Sequence, residues 1–432
     1  MEKNESVQVF WFRRDLRLTD NIGLAKALEN GGTVLPIFIF DTHILGKLSD
    51  PYDRRVDYIH QAVAALKKQL HTYHSDIKVF VGTALSVFSA LHEQYNLRAV
   101  YCNTDYEPAA IERDAAVKAY CEANNIRFHS YKDQVIFEKS DIVKSDGSPY
   151  TVYTPYSRKW KEKLDLNANG EPSLYWEGFY KTTTSELPTL AEIGFQKTDL
   201  VYKEPQLQEA LIASYDQYRD FPALGHTSRL GIALRFGTIS IRRCVAFAIK
   251  HNATWLNELI WREFFMQVLY HFPQVQQQCF KPAYERISWR NKEEEFKRWC
   301  AGETGYPLVD AGMRELNTTG FMHNRVRMVV ASFLTKHLLI DWRWGEAYFA
   351  EKLLDYDLAA NNGNWQWAAG CGCDAAPYFR VFNPSEQQRK FDKELRYVKQ
   401  WNPDFETTAL TPIVEHSFAR ERALRTYKQA LK

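Results

Sequence analysis

Four short runs rich in β-branched and aromatic residues mark the first third of this chain: VQVFWF from Val7, VLPIFIF from Val34, IKVFVG from Ile77 and RAVYCN from Arg98. Near-continuous apolar runs of this length read as strands buried on both faces, the condition of parallel strands covered by helices. The intervening stretches DNIGLAKALEN, RRVDYIHQAVAALKKQLHTY, ALSVFSALHEQYN and EPAAIERDAAVKAYCEANN place apolar residues three and four apart and start or stop at Asp, Pro, Asn or Gly. That is the pattern of capped amphipathic helices. The alternation predicts a doubly wound parallel α/β domain over residues 1–130. No G-x-G-x-x-G follows the first strand, so an ordinary dinucleotide site is not expected there.

A chain of 432 residues exceeds one ordinary core, and the remainder divides in two. Over 131–206 the periodicity fades and Gly, Pro, Ser, Thr and Asn accumulate, as in SDGSPYTVYTPYS and LNANGEPS; a long interdomain linker is expected. Over 207–432 helical periodicity returns in NATWLNELIWREFFMQVLYHF, GMRELNTTGFMHNRVRMVVASFLTKHLL and WGEAYFAEKLLDYDLAA, predicting an all-α domain. A formal charge of +2 excludes a uniformly basic nucleic-acid coat but leaves room for a local basic groove. Seven scattered cysteines fit reduced thiols better than a disulfide framework. The start MEKNESVQVFWF carries no secretory pattern and no apolar run reaches membrane-spanning length, so a cytoplasmic, monomeric protein with no membrane partner is the expectation.

Three constellations stand out on the helical part. In WLNELIWREFF, Glu258, Trp261 and Arg262 fall at i, i+3 and i+4 on one helix face, able to grip a flat polar ligand; the same spacing fits an amphipathic helix with an exposed Glu–Arg pair. HNRVRM packs His323, Asn324, Arg325, Arg327 and Met328 into one and a half turns, joining arginine forks to a polarizable thioether; a solvated basic face reads equally well. GHTSRLG offers Thr227, Ser228 and Arg229 before another helix, able to hold phosphate oxygens or simply to cap it. Cys371 and Cys373 lack the second pair or nearby histidines that a zinc site needs, so no metal is expected.

Long motifs in order carry a resemblance that spacing cannot supply: FWFRRDLRLTDN, RDFPALGHTSRLGIALRFGTIS, WLNELIWREFF, TGYPLVDAGMRELNTTGFMHNRVRM, LLIDWRWGEAYF and DYDLAANNGNWQWAAGCGCDAAPYFRVFNP. The chain resembles the photolyase and cryptochrome family nearly end to end, and most of all its bacterial class I cyclobutane pyrimidine dimer photolyases. The resemblance implies a helical domain that binds FAD, with Tyr215, Thr227, Ser228, Arg229 and Leu230 on the phosphate side and Arg325, Asp355, Asp357 and Asn361 around the isoalloxazine. It implies that Asn361 faces flavin N5. It further implies that Glu258, Trp261, Arg262, Asn324, Met328 and Trp367 meet DNA containing a pyrimidine dimer, and that Trp365, Trp342 and Trp289 relay electrons to the flavin. Trp261 and Trp367 would stack on the extruded bases, worth about 1–3 kcal/mol per base, and a protonated Glu258 would donate to a dimer carbonyl.

The chain departs from the family pattern at Gly231, Phe321 and the CGC stretch. In YEPAAIERD, Ala109 and Ala110 stand where folate-binding members carry Asn and Glu, which argues against a methenyltetrahydrofolate antenna and leaves a deazaflavin, another flavin or no second chromophore open. Signalling cryptochromes often add a long tail and (6-4) photolyases place histidines in the pocket, whereas Met328 and WQWAA follow the dimer-repair pattern. Dimer repair is therefore the expected activity, with a blue-light receptor or a (6-4) photolyase as alternatives.

Overall fold

The computed structural model describes residues 6–29, 31–165, 174–182, 184–407 and 410–432. They form two compact units, and the chain passes between them repeatedly. One unit takes the chain up to Glu138, Lys163–Leu207 and Leu230–Phe247; the other takes Lys139–Glu162, Gln208–Arg229 and Ala248–Lys432. The stretch expected to be one connector is thus shared, and it contains a helix of its own.

In the first unit, β1 (Ser6–Phe12), β2 (Val34–Asp41), β3 (Lys78–Gly82), β4 (Asn96–Asn103) and β5 (Arg127–Tyr131) form one parallel sheet in the order β3-β2-β1-β4-β5. The two-residue period of a strand sorts its side chains between two cores. Phe10 and Phe12 of β1 point into one core with α1 (Ile22–Glu29) and α2 (Arg54–His71). Val7, Val9 and Trp11 point into the other with α3 (Ala84–Gln94) and α4 (Pro108–Ala123). This is the doubly wound arrangement the alternation predicts. The fifth strand, RFHSY, is an addition to the four expected: lying at the sheet edge with only partial burial, it needs no apolar run.

Segment Leu230–Phe247 is bound into this unit by buried charge. Asp133 accepts from Arg17 Nη2 at 2.7 Å and from Arg242 Nη2 at 2.8 Å, and Arg242 Nε donates to Asp20 at 2.8 Å. Burial pushes the Asp133 carboxyl up, but the two guanidiniums outweigh it and hold the group below the usual carboxylate range.

The second unit is helical. Its site-bearing elements are α5 (Tyr153–Lys163), α6 (Ala253–His271), α7 (Pro307–Thr319), α8 (Asn324–Ser332), α9 (Trp342–Lys352), α10 (Leu358–Ala369) and α11 (His416–Ala430), with a π-helical turn at Phe333–His337 after α8. Trp299, Trp342 and Trp365 lie at the centre of its main core. Side chains start the helices: Asn252 accepts from the backbone N–H of Thr254 and Trp255 ahead of α6, His323 from Arg325 ahead of α8, and Asp357 from Ala360 ahead of α10.

Candidate functional site

A cleft in the helical unit gathers side chains from three directions. The first turns of α8 supply Asn324, Arg327 and Met328; the turn before α10 supplies Asp355 and Asp357; α10 supplies Asn361, Asn364, Trp365 and Trp367. Each set follows from helical geometry, since residues three and four apart share a face. Asn324, Arg327 and Met328 stand at i, i+3 and i+4, and so do Asn361, Asn364 and Trp365.

Polar groups in the cleft are held from behind. Arg327 Nη2 grips both Asp355 oxygens at 3.1 and 3.0 Å while its Nε donates to Met322 O at 2.7 Å. The Asn361 amide donates to the Glu346 carboxyl at 2.8 Å and to its backbone oxygen at 3.0 Å, which leaves the Asn361 carbonyl oxygen as its atom for another partner. Burial raises the Glu346 pKa, with the Asn361 hydrogen bond opposing. The result is a guanidinium–carboxylate pair and an oriented amide beside indole and thioether surfaces, a donor set suited to the edge of a flat heterocycle with alternating donors and acceptors.

Eight of the residues singled out from sequence therefore meet here: Asn324, Arg327, Met328, Asp355, Asp357, Asn361, Trp365 and Trp367. Arg325 does not line the cleft. It lies two positions from Arg327, on another side of α8, paired with Asp220 at 2.7 Å and over the Phe391 ring at 4.3 Å. Arg327 lines the cleft in its stead.

Glu258, Trp261 and Arg262 do share α6, and Glu258 and Trp261 meet side chains from other segments. Glu258 accepts a hydrogen bond from Arg219. Arg219 also lies over the Tyr215 ring at 5.3 Å, and burial together with Glu258 pushes the Tyr215 hydroxyl up to about 12. Trp261 is covered on one face by Tyr153, with centroids 3.7 Å apart and planes 4° from parallel.

Thr227, Ser228 and Arg229 cap no helix. The short helix that follows starts at Gly231, has Leu230 at its cap with no side-chain bond, and with Leu230 belongs to the α/β unit. Arg229 adopts a left-handed backbone, φ 51°, with its guanidinium 4.5 Å over Phe321.

Of the expected relay residues, Trp342 and Trp365 are fully buried and Trp289 half-buried. Trp365 meets the rings of Phe349 at 5.0 Å and Trp299 at 6.2 Å, and Trp289 meets Tyr427 at 6.0 Å. Trp299 was not legible from sequence; it lies in an ordinary amphipathic stretch. Gly345 of α9 permits the Trp365 packing: a Cβ there would stand 2.1 Å from the indole. Gly345→Ala should therefore displace Trp365 and destabilise the unit by about 1–3 kcal/mol, the usual cost of overpacking, read as an earlier urea midpoint with altered tryptophan emission.

Cys371 and Cys373 carry free thiols, pushed up by burial, Cys373 to about 11. A separate cavity of about 450 Å³ lies in the α/β unit, lined by Thr42, Leu45, Leu48, Ser49, Val81 and Glu192 among others. No helix among the described residues is long and apolar enough to cross a membrane.

Comparison with known proteins bears on both units. Residues 8–173 match the family model described as DNA photolyase, and residues 255–425 the one described as FAD binding domain of DNA photolyase. A deoxyribodipyrimidine photo-lyase of Synechococcus sp. is 36% identical over 467 residues, covering 98% of this chain and 96% of that protein. A bacterial class III photolyase from Agrobacterium tumefaciens superposes with a TM-score of 0.86 at 32% identity, covering 100% and 98% of the two chains. An archaeal photolyase from Sulfolobus tokodaii, solved with two FAD molecules, gives a TM-score of 0.86 at 35% identity over 98% and 100%.

Proposed function

The chain belongs to the photolyase and cryptochrome family, and from that premise we propose that it splits cyclobutane pyrimidine dimers in DNA under light, in the manner of the class I enzymes. The observation that carries this reading is the convergence of Asn324, Met328, Asp355, Asp357, Asn361, Trp365 and Trp367 on one cleft. The donor set fits FAD: Arg327 and Asp355 would meet the polar edge of the isoalloxazine and the Asn361 carbonyl oxygen would accept from it. When bound, reduced FAD supplies the photoexcited electron that opens the dimer and receives it back, so no net redox change results.

The protein's own part is recognition and placement. Trp367 at the cleft and Trp261 on α6 would stack on the bases of a dimer that has left the duplex, and damaged bases leave at lower cost than sound ones. Arg262 would hold the opened DNA. Arg219 shields Glu258, so a contact from Glu258 to a dimer carbonyl requires that ion pair to open first. The 450 Å³ cavity of the α/β unit is our proposed place for a second chromophore other than folate.

The deciding experiment gives the reduced, flavin-loaded protein two oligonucleotides under near-ultraviolet or blue light, one with a cyclobutane thymine dimer and one with a (6-4) product. Only the cyclobutane lesion should be restored. Restoration of the (6-4) product would move the assignment to that enzyme class, and repair of neither would favour a receptor. A second measurement concerns Trp365→Phe, which keeps an aromatic ring but makes it much harder to oxidise. Flavin content should survive and photoreduction should be largely lost, while chemically pre-reduced enzyme still repairs; photoreduction at the parent rate would remove Trp365 from the relay.

A further inference from the structure

Helix α5 comes from the stretch that reads as a connector, yet it is fastened to α6 along its length. Trp160 Nε1 donates to the Glu263 carboxylate at 2.6 Å, and Lys161 Nζ to Asn257 Oδ1 at 2.8 Å. At its start the Tyr153 ring lies flat on Trp261, 3.7 Å between centroids. The Tyr153 hydroxyl donates to Asn257 O at 2.9 Å, one helical turn before Trp261, and its backbone N–H donates to Asp374 at 2.8 Å, in the turn beyond α10. Phe264 meets the indole edge-on at 5.6 Å and Phe265 lies 5.4 Å away, tilted by 31°.

We propose that Tyr153 is a positioning residue for lesion recognition, clamping the Trp261 indole in one orientation so that a single prearranged surface meets the extruded pyrimidine. The inference rests on the repair reading above, in which Trp261 touches the substrate. A half-buried indole on a helix surface samples more than one rotamer, and ordering it at the moment of binding subtracts from affinity. Tyr153 removes that choice in advance. It is itself fixed at three points: the ring by stacking, the hydroxyl by a backbone oxygen and the main chain by Asp374. Burial raises the Tyr153 pKa, with Glu258 adding to the effect, so the hydroxyl keeps the proton it donates. The role could not be seen from sequence because Tyr153 lies about a hundred residues before its partner.

The test measures binding in the dark to an oligonucleotide with a cyclobutane dimer and to its undamaged counterpart. Tyr153→Leu should weaken lesion binding about fivefold, the order of one aromatic pair, and leave binding to undamaged DNA and repair per absorbed photon at saturating lesion unchanged. Tyr153→Phe, which keeps the ring, should restore lesion affinity to within about twofold of the parent. In a Trp261→Ala background, Tyr153→Leu should cost nothing further, since the two side chains act as one unit. Parent-like lesion affinity in Tyr153→Leu, or the same loss in the absence of Trp261, overturns the proposal and leaves the repair reading standing. A parent protein with no preference for the damaged oligonucleotide overturns the repair reading and this proposal together.

Discussion

Asp133→Ala should destabilise the α/β unit by about 3–5 kcal/mol, the cost of removing one partner from a buried ion pair. Asp133 is the shared acceptor of Arg17 and Arg242, all three buried. Without it, Arg242 keeps Asp20 at 2.8 Å, and Arg17 keeps only backbone oxygens, Gly237 O at 3.0 Å and Asp20 O at 2.6 Å. Two guanidiniums would then be buried against a single carboxylate. Urea unfolding followed on this unit should show the fall, and Asp133→Asn, which keeps the shape but loses the charge, should lie between variant and parent. A loss under about 1 kcal/mol would mean that water reaches the arginines and that the site is less closed than the structure shows.

Acid should unfold the helical unit through two histidines. Burial holds His337 down at about 3, with His416 and Arg422 adding to it, and His323 down at about 4, where Arg327 adds and Asp220 opposes. His337 Nε2 shares a proton with His416 Nδ1 at 2.9 Å, a bond between two neutral rings that ties the π-helical turn to α11. An unfolded histidine titrates near 6.5, so below that pH the unfolded chain binds protons that the folded one refuses. The stabilisation is complete above pH 6.5 and is lost as pH falls toward 4, amounting to about 2 kcal/mol per histidine by pH 5. Buried carboxyls with raised pKa, among them Asp310, Glu315 and Glu346, push the other way, so the comparison must be between variants. His337→Gln should be less stable than the parent at pH 7.5 and flatter between pH 7 and 5; parallel curves would show that His337 is protonated in the folded state.

What could be read from the sequence follows from what burial does to side chains. Strands covered on both faces must be apolar throughout, and β1, β2 and β4 announced themselves; of the two edge strands β3 is apolar enough to be seen, whereas β5 carries Arg127, His129 and Ser130 and did not. Helix α5 buries only Tyr156 and Trp160, a correct i, i+4 pair lost among Thr, Pro and Lys. In the cleft, motif residues distant in sequence converge as the resemblance implies, but resemblance alone did not separate Arg325 from Arg327. Helical geometry does not separate them either, since each stands about 80° from the line midway between Asn324 and Met328; their partners in other segments do, Asp355 for Arg327 and Asp220 for Arg325. The engagement of Glu258 by Arg219 and of Trp261 by Tyr153 joins residues of different segments, and no local pattern encodes it.

The shuttling of the chain between its two units has a consequence for biosynthesis. At translation rates of about 5–20 residues per second, on the order of ten seconds separate the emergence of Asp133 from that of Arg242. During that interval the sheet is fully translated, yet the buried Asp133 carboxylate has one of its two guanidiniums. A fragment ending at residue 138, where the first segment of this unit closes and eight residues beyond the boundary expected from sequence, reproduces that unfinished nascent state and should need chaperones or aggregate where the full chain does not.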